Sequence, residues 1–108
     1  MNLADFDALR ARVLGLADAI QQAKRPDYTV ENVDVLHNFK SVAARLGLSP
    51  LQVARVYALK HEDAITRMSL SPTASFSEHP ALRVADRINY ATLELALLQE
   101  VIGDKIWP

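Results

Sequence analysis

The sequence predicts an all-α protein, a compact bundle of four main helices in a single domain over residues 1–108. Three observations predict this class. Apolar residues recur at three- and four-residue steps over most of the chain, which is the period of a helix. No long stretch alternates between apolar and polar residues, as a half-buried strand would. The chain has only 3 glycines, and 50% of its residues are hydrophobic, which suffices for a core.

Each predicted helix has a recognisable beginning or end. The four helices cover about residues 3–24, 29–46, 50–68 and 80–102. The first carries an apolar stripe from Leu3 to Ile20 and ends before Pro26, because proline disfavours a helical conformation in the preceding residue. The second is predicted to start at Thr29 as its N-cap and to end at Gly47, which suits the left-handed C-terminal position.

The third helix has the strongest start signal in the chain. Ser49 is predicted to cap it, Pro50 fills its first position, and Gln52 completes a capping box. A serine-rich loop over residues 69–79 follows, and loops of this length are often functional. The last helix is apolar on most sides. This pattern predicts a central helix, a subunit interface, or both.

Composition excludes several classes of protein. The chain has no cysteine, so disulfides, thiolate chemistry and cysteine-bound zinc are excluded. The net charge of −1 argues against binding that depends on neutralising phosphates. We see no basic, apolar leader and no window of about 20 apolar residues, so we expect a cytoplasmic protein without a membrane span.

The segment around Gly47 resembles a helix-turn-helix. Its core positions would be filled by Leu46, Leu48, Val53 and Val56. Reading of base edges needs polar side chains on the outer face of the second helix, and only Ser49 and Arg55 qualify there. A packed helix pair is therefore the favoured interpretation, and nucleic acid is an unexpected partner that is not excluded.

Several polar residues recur at helical spacing and are candidates for a binding site. Lys60, Asp63 and Arg67 share a face of the third helix, which a solvated surface would also explain. Asp86 lies on one face of the apolar last helix with Asn89 and Tyr90. A carboxylate there must be paired, with Arg87 or Lys60 as candidates, or must bind a cation. The three histidines, His37, His61 and His79, lack a zinc-ligand spacing.

A series of short motifs resembles one known family. The motifs are Asp27-Tyr28, Asn38-Phe39-Lys40, Lys60, Ser77-Glu78 and Asp86 with Asn89-Tyr90. In this order they resemble the small all-α phage and prophage proteins called nucleotide modification associated domain 1. The chain is also broadly similar to all-α nucleoside triphosphate pyrophosphohydrolases, but it lacks their paired Glu-x-x-Glu and Glu-x-x-Asp motifs.

The resemblance implies a phage- or prophage-type protein of nucleotide metabolism with a site in a helix–helix cleft. The implied ligand-binding residues are Tyr28, Asn38, Lys60, Asp63, Arg67, Glu78, Asp86 and Tyr90. Lys60 and Arg67 would meet phosphate. Magnesium would be held by Asp63, Glu78 and Asp86.

The sequence therefore predicts binding of a nucleotide or another phosphate-bearing small molecule, and it assigns no catalytic residue. We expect a homodimer, formed through the first or the last helix. The alternative is a non-enzymatic module that binds another protein, or DNA through the helix-turn-helix.

Overall fold

The computed structural model describes residues 1–25 and 34–108. These residues form four α-helices, and none of them lies in a strand, so the predicted all-α class is confirmed. The helices are α1 (Leu3–Ala23), α2 (His37–Leu46), α3 (Pro50–Leu70) and α4 (Pro80–Ile102), followed by a 3-10 helix, Gly103–Ile106. No helix among the described residues is long and apolar enough to cross a membrane.

The second helix begins later than predicted. Residues 34–36 are not helical, so the predicted helix from Thr29 to Leu46 is wrong at its start. Asp34 explains the break: its Oδ1 accepts a hydrogen bond from the backbone N–H of Leu36 at 2.9 Å, and its carbonyl accepts one from His37 at 2.9 Å. An aspartate that bonds its own backbone two residues on forms a turn instead of a helix. Thr29 lies outside the described residues.

The connection between α2 and α3 follows the prediction. Gly47 has φ +69°, the left-handed conformation that glycine adopts without strain. The backbone N–H of Leu48 then folds back to the carbonyl of Ala43 at 3.1 Å. Ser49 and Gln52 form the predicted reciprocal capping box, with bonds of 3.1 and 2.8 Å.

The third helix continues to Leu70, two residues beyond its predicted end, and leaves a loop over residues 71–79. The predicted loop began at Ser69, a residue type that favours turns. In the structure, the Ser69 hydroxyl donates to the carbonyl of Thr66 at 2.7 Å and so bonds within the helix.

Helix α4 is the central element of the fold. It packs against both α1 and α3, and α2 packs against α3. One core cluster joins α2, α3 and α4, formed by Leu36, Phe39, Ala43, Val53, Ala54 and Leu97. The predicted core is only partly right: Val53 is buried, but Leu46, Leu48 and Val56 are 41–65% exposed. Val56 borders a surface groove between α3 and α4 and is not part of the core.

Candidate functional site

A polar cavity lies where the four helices come together. Its volume is about 160 Å³. The polar lining residues are Gln21, Lys24, Asn38, Tyr57, Asp86, Asn89 and Tyr90, and the apolar ones are Val35, Phe39 and Leu93. Three of the residues predicted for a ligand site, Asn38, Asp86 and Tyr90, therefore lie around one cavity.

The shared face of Asp86, Asn89 and Tyr90 on α4 forms one wall of the polar cavity, as the helical spacing predicted. Asn89 is 9% exposed, and its Nδ2 donates to the carbonyl of Ala17 at 3.0 Å. This bond fixes α1 against α4 at the level of the cavity. It is also the reason why a polar residue is tolerated there, because a buried amide needs a partner.

The Asp86 carboxylate is the acidic group of the polar cavity. Its side chain is 18% exposed, and Oδ2 lies 3.6 Å from Nδ1 of His61. The predicted partners Arg87 and Lys60 were wrong: Arg87 lies 3.7 Å from Glu62, and the side chain beside the Asp86 carboxylate is His61 instead. Asp86 is therefore a mostly buried carboxylate beside a histidine.

His61 is neutral in this setting. It is 5% exposed, and burial lowers its pKa, an effect that the nearby Asp86 carboxylate partly offsets. Arg83 Nη1 lies 3.3 Å from His61 Nδ1. Because a guanidinium only donates hydrogen bonds, Nδ1 is the acceptor and the ring proton is on Nε2. A neutral His61 gives Asp86 no compensating charge.

Arg83 connects this pair to the loop before α4. Its Nε lies 2.9 Å from Oε2 of Glu78, but the N–H does not point at that oxygen, so the contact is an ion pair without a hydrogen bond. Glu78 thus pairs with a guanidinium instead of facing an open metal site.

Aromatic rings form the remaining wall of the polar cavity. The ring centroid of Phe39 lies 6.0 Å from that of Tyr57 and 6.3 Å from that of Tyr90. Tyr90 in turn lies 5.6 Å from the His61 ring. These tilted pairs are at the favourable spacing for aromatic side chains and hold the wall in place.

The other predicted site residues lie elsewhere. Lys60, Asp63 and Arg67 are exposed on α3 and are not part of the cavity lining. Within the described ranges, no three acidic or histidine side chains come together in a way that could hold a metal ion, and this includes Asp63, Glu78 and Asp86. Tyr28 lies outside the described residues.

Three polar lining residues, Gln21, Lys24 and Tyr57, were missed from the sequence. Gln21 and Lys24 reach the polar cavity from the C-terminal end of α1. They sit on a helix end with ordinary surface composition, so no local signal distinguishes them. Only the packing of α1 on α4 brings them to the cavity.

A basic strip of Lys40, Arg45 and Arg55, which would favour DNA binding, is partly neutralised. Lys40 Nζ pairs with the Asp34 carboxylate and lies 2.8 Å from Oε2 of Glu100, and these contacts raise its pKa. The same lysine, through its hydrogen bond, lowers the pKa of Asp34. With Lys40 engaged by two carboxylates, Arg45 and Arg55 are left as the basic residues of that strip.

Comparison with protein-family models, with curated proteins and with solved structures finds no match for this chain. The resemblance to nucleotide modification associated domain 1 stays a prediction from short motifs. The geometry of the polar cavity is thus the basis for a functional proposal.

Proposed function

We propose that the chain binds a nucleotide or a similar phosphate-bearing small molecule, and that the polar cavity takes the ring portion of this ligand. One observation carries the proposal: Asn38 on α2 and the pair Asp86 and Tyr90 on α4, which the sequence had singled out, line one cavity. The other lining groups supply what a heteroaromatic ring needs, namely aromatic faces and amide hydrogen-bonding groups.

The volume of the polar cavity limits what enters it. A cavity of about 150 Å³ in another protein binds benzene, whereas pockets for drug-sized ligands measure about 300–1,000 Å³. At about 160 Å³, this cavity has room for a single ring. The sugar and phosphate of a nucleotide would therefore stay at the mouth.

The charges of the lining residues suggest an orientation for the ligand. Asp86 would accept hydrogen bonds from ring N–H or amino groups, and the amide of Asn38 can donate and accept on a base edge. Lys24 is the cation among the lining residues and is exposed. It would meet the phosphate, the role that the sequence had assigned to Lys60 and Arg67.

The test is a calorimetric titration with a panel of nucleosides and nucleoside mono-, di- and triphosphates, each with and without magnesium. We expect Asp86→Asn to weaken binding of the best ligand at least tenfold, or about 1.4 kcal/mol. Asp63→Asn is the matched control, since Asp63 is exposed on α3, and it should leave affinity unchanged.

Lys24→Ala and Lys60→Ala separate the two assignments of the phosphate contact. Lys24→Ala should weaken nucleotide binding but not nucleoside binding, and Lys60→Ala should change neither. Absence of binding by every compound at about 1 mM would overturn the proposal. Equal losses in Asp86→Asn and Asp63→Asn would overturn the assignment of the cavity. Binding that occurs only with magnesium would support the metal that the sequence predicts.

A second candidate function, a protein-interaction module, is favoured by a different observation. Large apolar side chains of α1 and α4 are exposed, including Phe6 at 50% and Ile102 at 45%. The same titration series with a short DNA duplex tests the remaining alternative, the helix-turn-helix.

A further inference from the structure

We propose that α1 forms a homodimer interface, in which two copies of α1 pack antiparallel about a two-fold axis near Leu9. The proposal concerns a surface remote from the polar cavity and does not depend on ligand binding. It rests on the surface that the chain exposes, on the apolar face of α1, and on the order of charges along that helix.

The chain exposes more surface than a compact monomer of its size. Its accessible surface is 8018 Å² and its mass 12.0 kDa. A folded monomer of that mass exposes about 6,000 Å², so the excess is roughly 2,000 Å². The radius of gyration, 16.1 Å, likewise exceeds the value of about 13 Å for a compact domain of this length. A stable interface covers about 800 Å² on each partner, well within this excess.

The core likewise contains few large side chains. Among the described residues, Val53 is the one large side chain that is fully buried, and most other buried hydrophobic residues are alanines. A chain with 50% hydrophobic residues has enough apolar side chains for a larger core. A second copy would cover part of the apolar side chains that this small core leaves exposed.

The uncovered apolar area is continuous along α1. Its stripe is buried only toward the C-terminal end, where Ala17 meets α4. Leu3, Phe6 and Leu9 are 74%, 50% and 50% exposed. Leu9 also borders an open apolar groove of about 930 Å³, which runs between α1 and the start of α4 at Leu82. This volume suits the bulky side chains of another helix.

The charges of α1 point to a second copy of the same helix. Asp5 and Asp7 precede Leu9, and Arg10 and Arg12 follow it. In an antiparallel pair centred next to Leu9, Asp5 of one copy lies opposite Arg12 of the other. The two residues are seven positions apart and flank the apolar stripe on the same side, as an antiparallel pairing requires. A two-fold axis produces this contact twice.

The test is sedimentation of the full chain over about 1–100 µM, compared with two single variants. We expect a dimer, and Leu9→Glu should raise its dissociation constant at least tenfold, because each dimer carries the change twice. Leu59→Glu is the matched control, since Leu59 is also 50% exposed but lies on α3. A monomer at 100 µM, or a dimer that Leu59→Glu disrupts as strongly as Leu9→Glu, would overturn the proposal.

A charge exchange tests the antiparallel register. Asp5→Arg and Arg12→Asp should each weaken the dimer, because each sets two like charges against one another across the axis. The double variant restores opposite charges and should recover dimerisation, most clearly at low salt. Circular dichroism confirms that each variant is folded. Failure of the double variant to recover while it remains helical would refute this register.

Discussion

Asp86→Asn should stabilise the protein while it weakens ligand binding. The Asp86 side chain is 18% exposed, and His61, 3.6 Å from its carboxylate, is held neutral by burial and supplies no opposite charge. A carboxylate in that setting loses hydration without a compensating charge, and an amide of the same shape is less costly to bury. For a group that keeps some contact with water, we expect a gain of about 1 kcal/mol in the free energy of unfolding.

The assay is thermal and urea unfolding at pH 7.5, where a gain of about 1 kcal/mol corresponds to a rise in Tm of about 5 °C in a domain this small. Asp63→Asn should stay within about 0.5 kcal/mol of the parent, because that carboxylate is exposed. NMR titration gives a second readout: the pKa of His61 should fall further in Asp86→Asn, since Asp86 raises that pKa more than Glu78 does. A loss of 1 kcal/mol or more, by contrast, would mean that Asp86 is a structural residue and would refute the reasoning.

Three further predictions concern stability. His61 has a pKa lowered by burial, so the unfolded chain binds a proton more readily than the folded chain. The contribution of His61 to the free energy of unfolding should be constant above about pH 6.5 and should fall as the pH drops toward the folded-state pKa. Urea unfolding of His61→Gln should show a weaker pH dependence over this range. Val53→Ala removes two carbons from a site that is 2% exposed and should cost about 2 kcal/mol by the same assay, whereas exposed Val56→Ala should cost far less. Ser49→Ala removes the capping hydrogen bond to Gln52 and should lower the unfolding free energy by about 1 kcal/mol.

Local signals in the sequence predicted the turn between α2 and α3. Gly47, Ser49 and Gln52 act through bonds that span a few residues, so the residue types alone determine the geometry. The shared face of Asp86 and Tyr90 was equally predictable, because it depends only on the period of the helix. Asp34 shows the limit of such signals: a side chain competed locally with helix formation, and the apolar spacing did not reveal it.

The position of the site depended on contacts that no local pattern contains. Lys60 and His61 are adjacent, and a rotation of 100° about the helix axis decides which of them faces α4. The sequence favoured Lys60 as the charged member, but His61 is buried there because Arg83 supplies its partner from another helix. Lys24 likewise reaches the polar cavity only because α1 docks on α4.

The attachment of α1 leads to a final prediction, which rests on both proposals: dimerisation and ligand binding should be coupled. Helix α1 supplies Gln21 and Lys24 to the polar cavity, yet among the described helices it packs only against α4. A second copy that covers the exposed half of α1 would hold this helix in place and reduce the entropy lost when a ligand orders the cavity. The best-bound nucleotide should therefore bind Leu9→Glu more weakly than it binds Leu59→Glu.

Thermodynamic linkage makes the coupling testable from both directions. The factor by which dimerisation raises nucleotide affinity must equal the factor by which the nucleotide strengthens the dimer. Titrations at protein concentrations below and above the dimer dissociation constant measure the first factor, and sedimentation with and without nucleotide measures the second. Two equal factors above one would show that α1 couples the dimer interface to the polar cavity. Affinity that is independent of protein concentration, in a chain that both dimerises and binds nucleotide, would show that α4 alone fixes α1 firmly enough for the site.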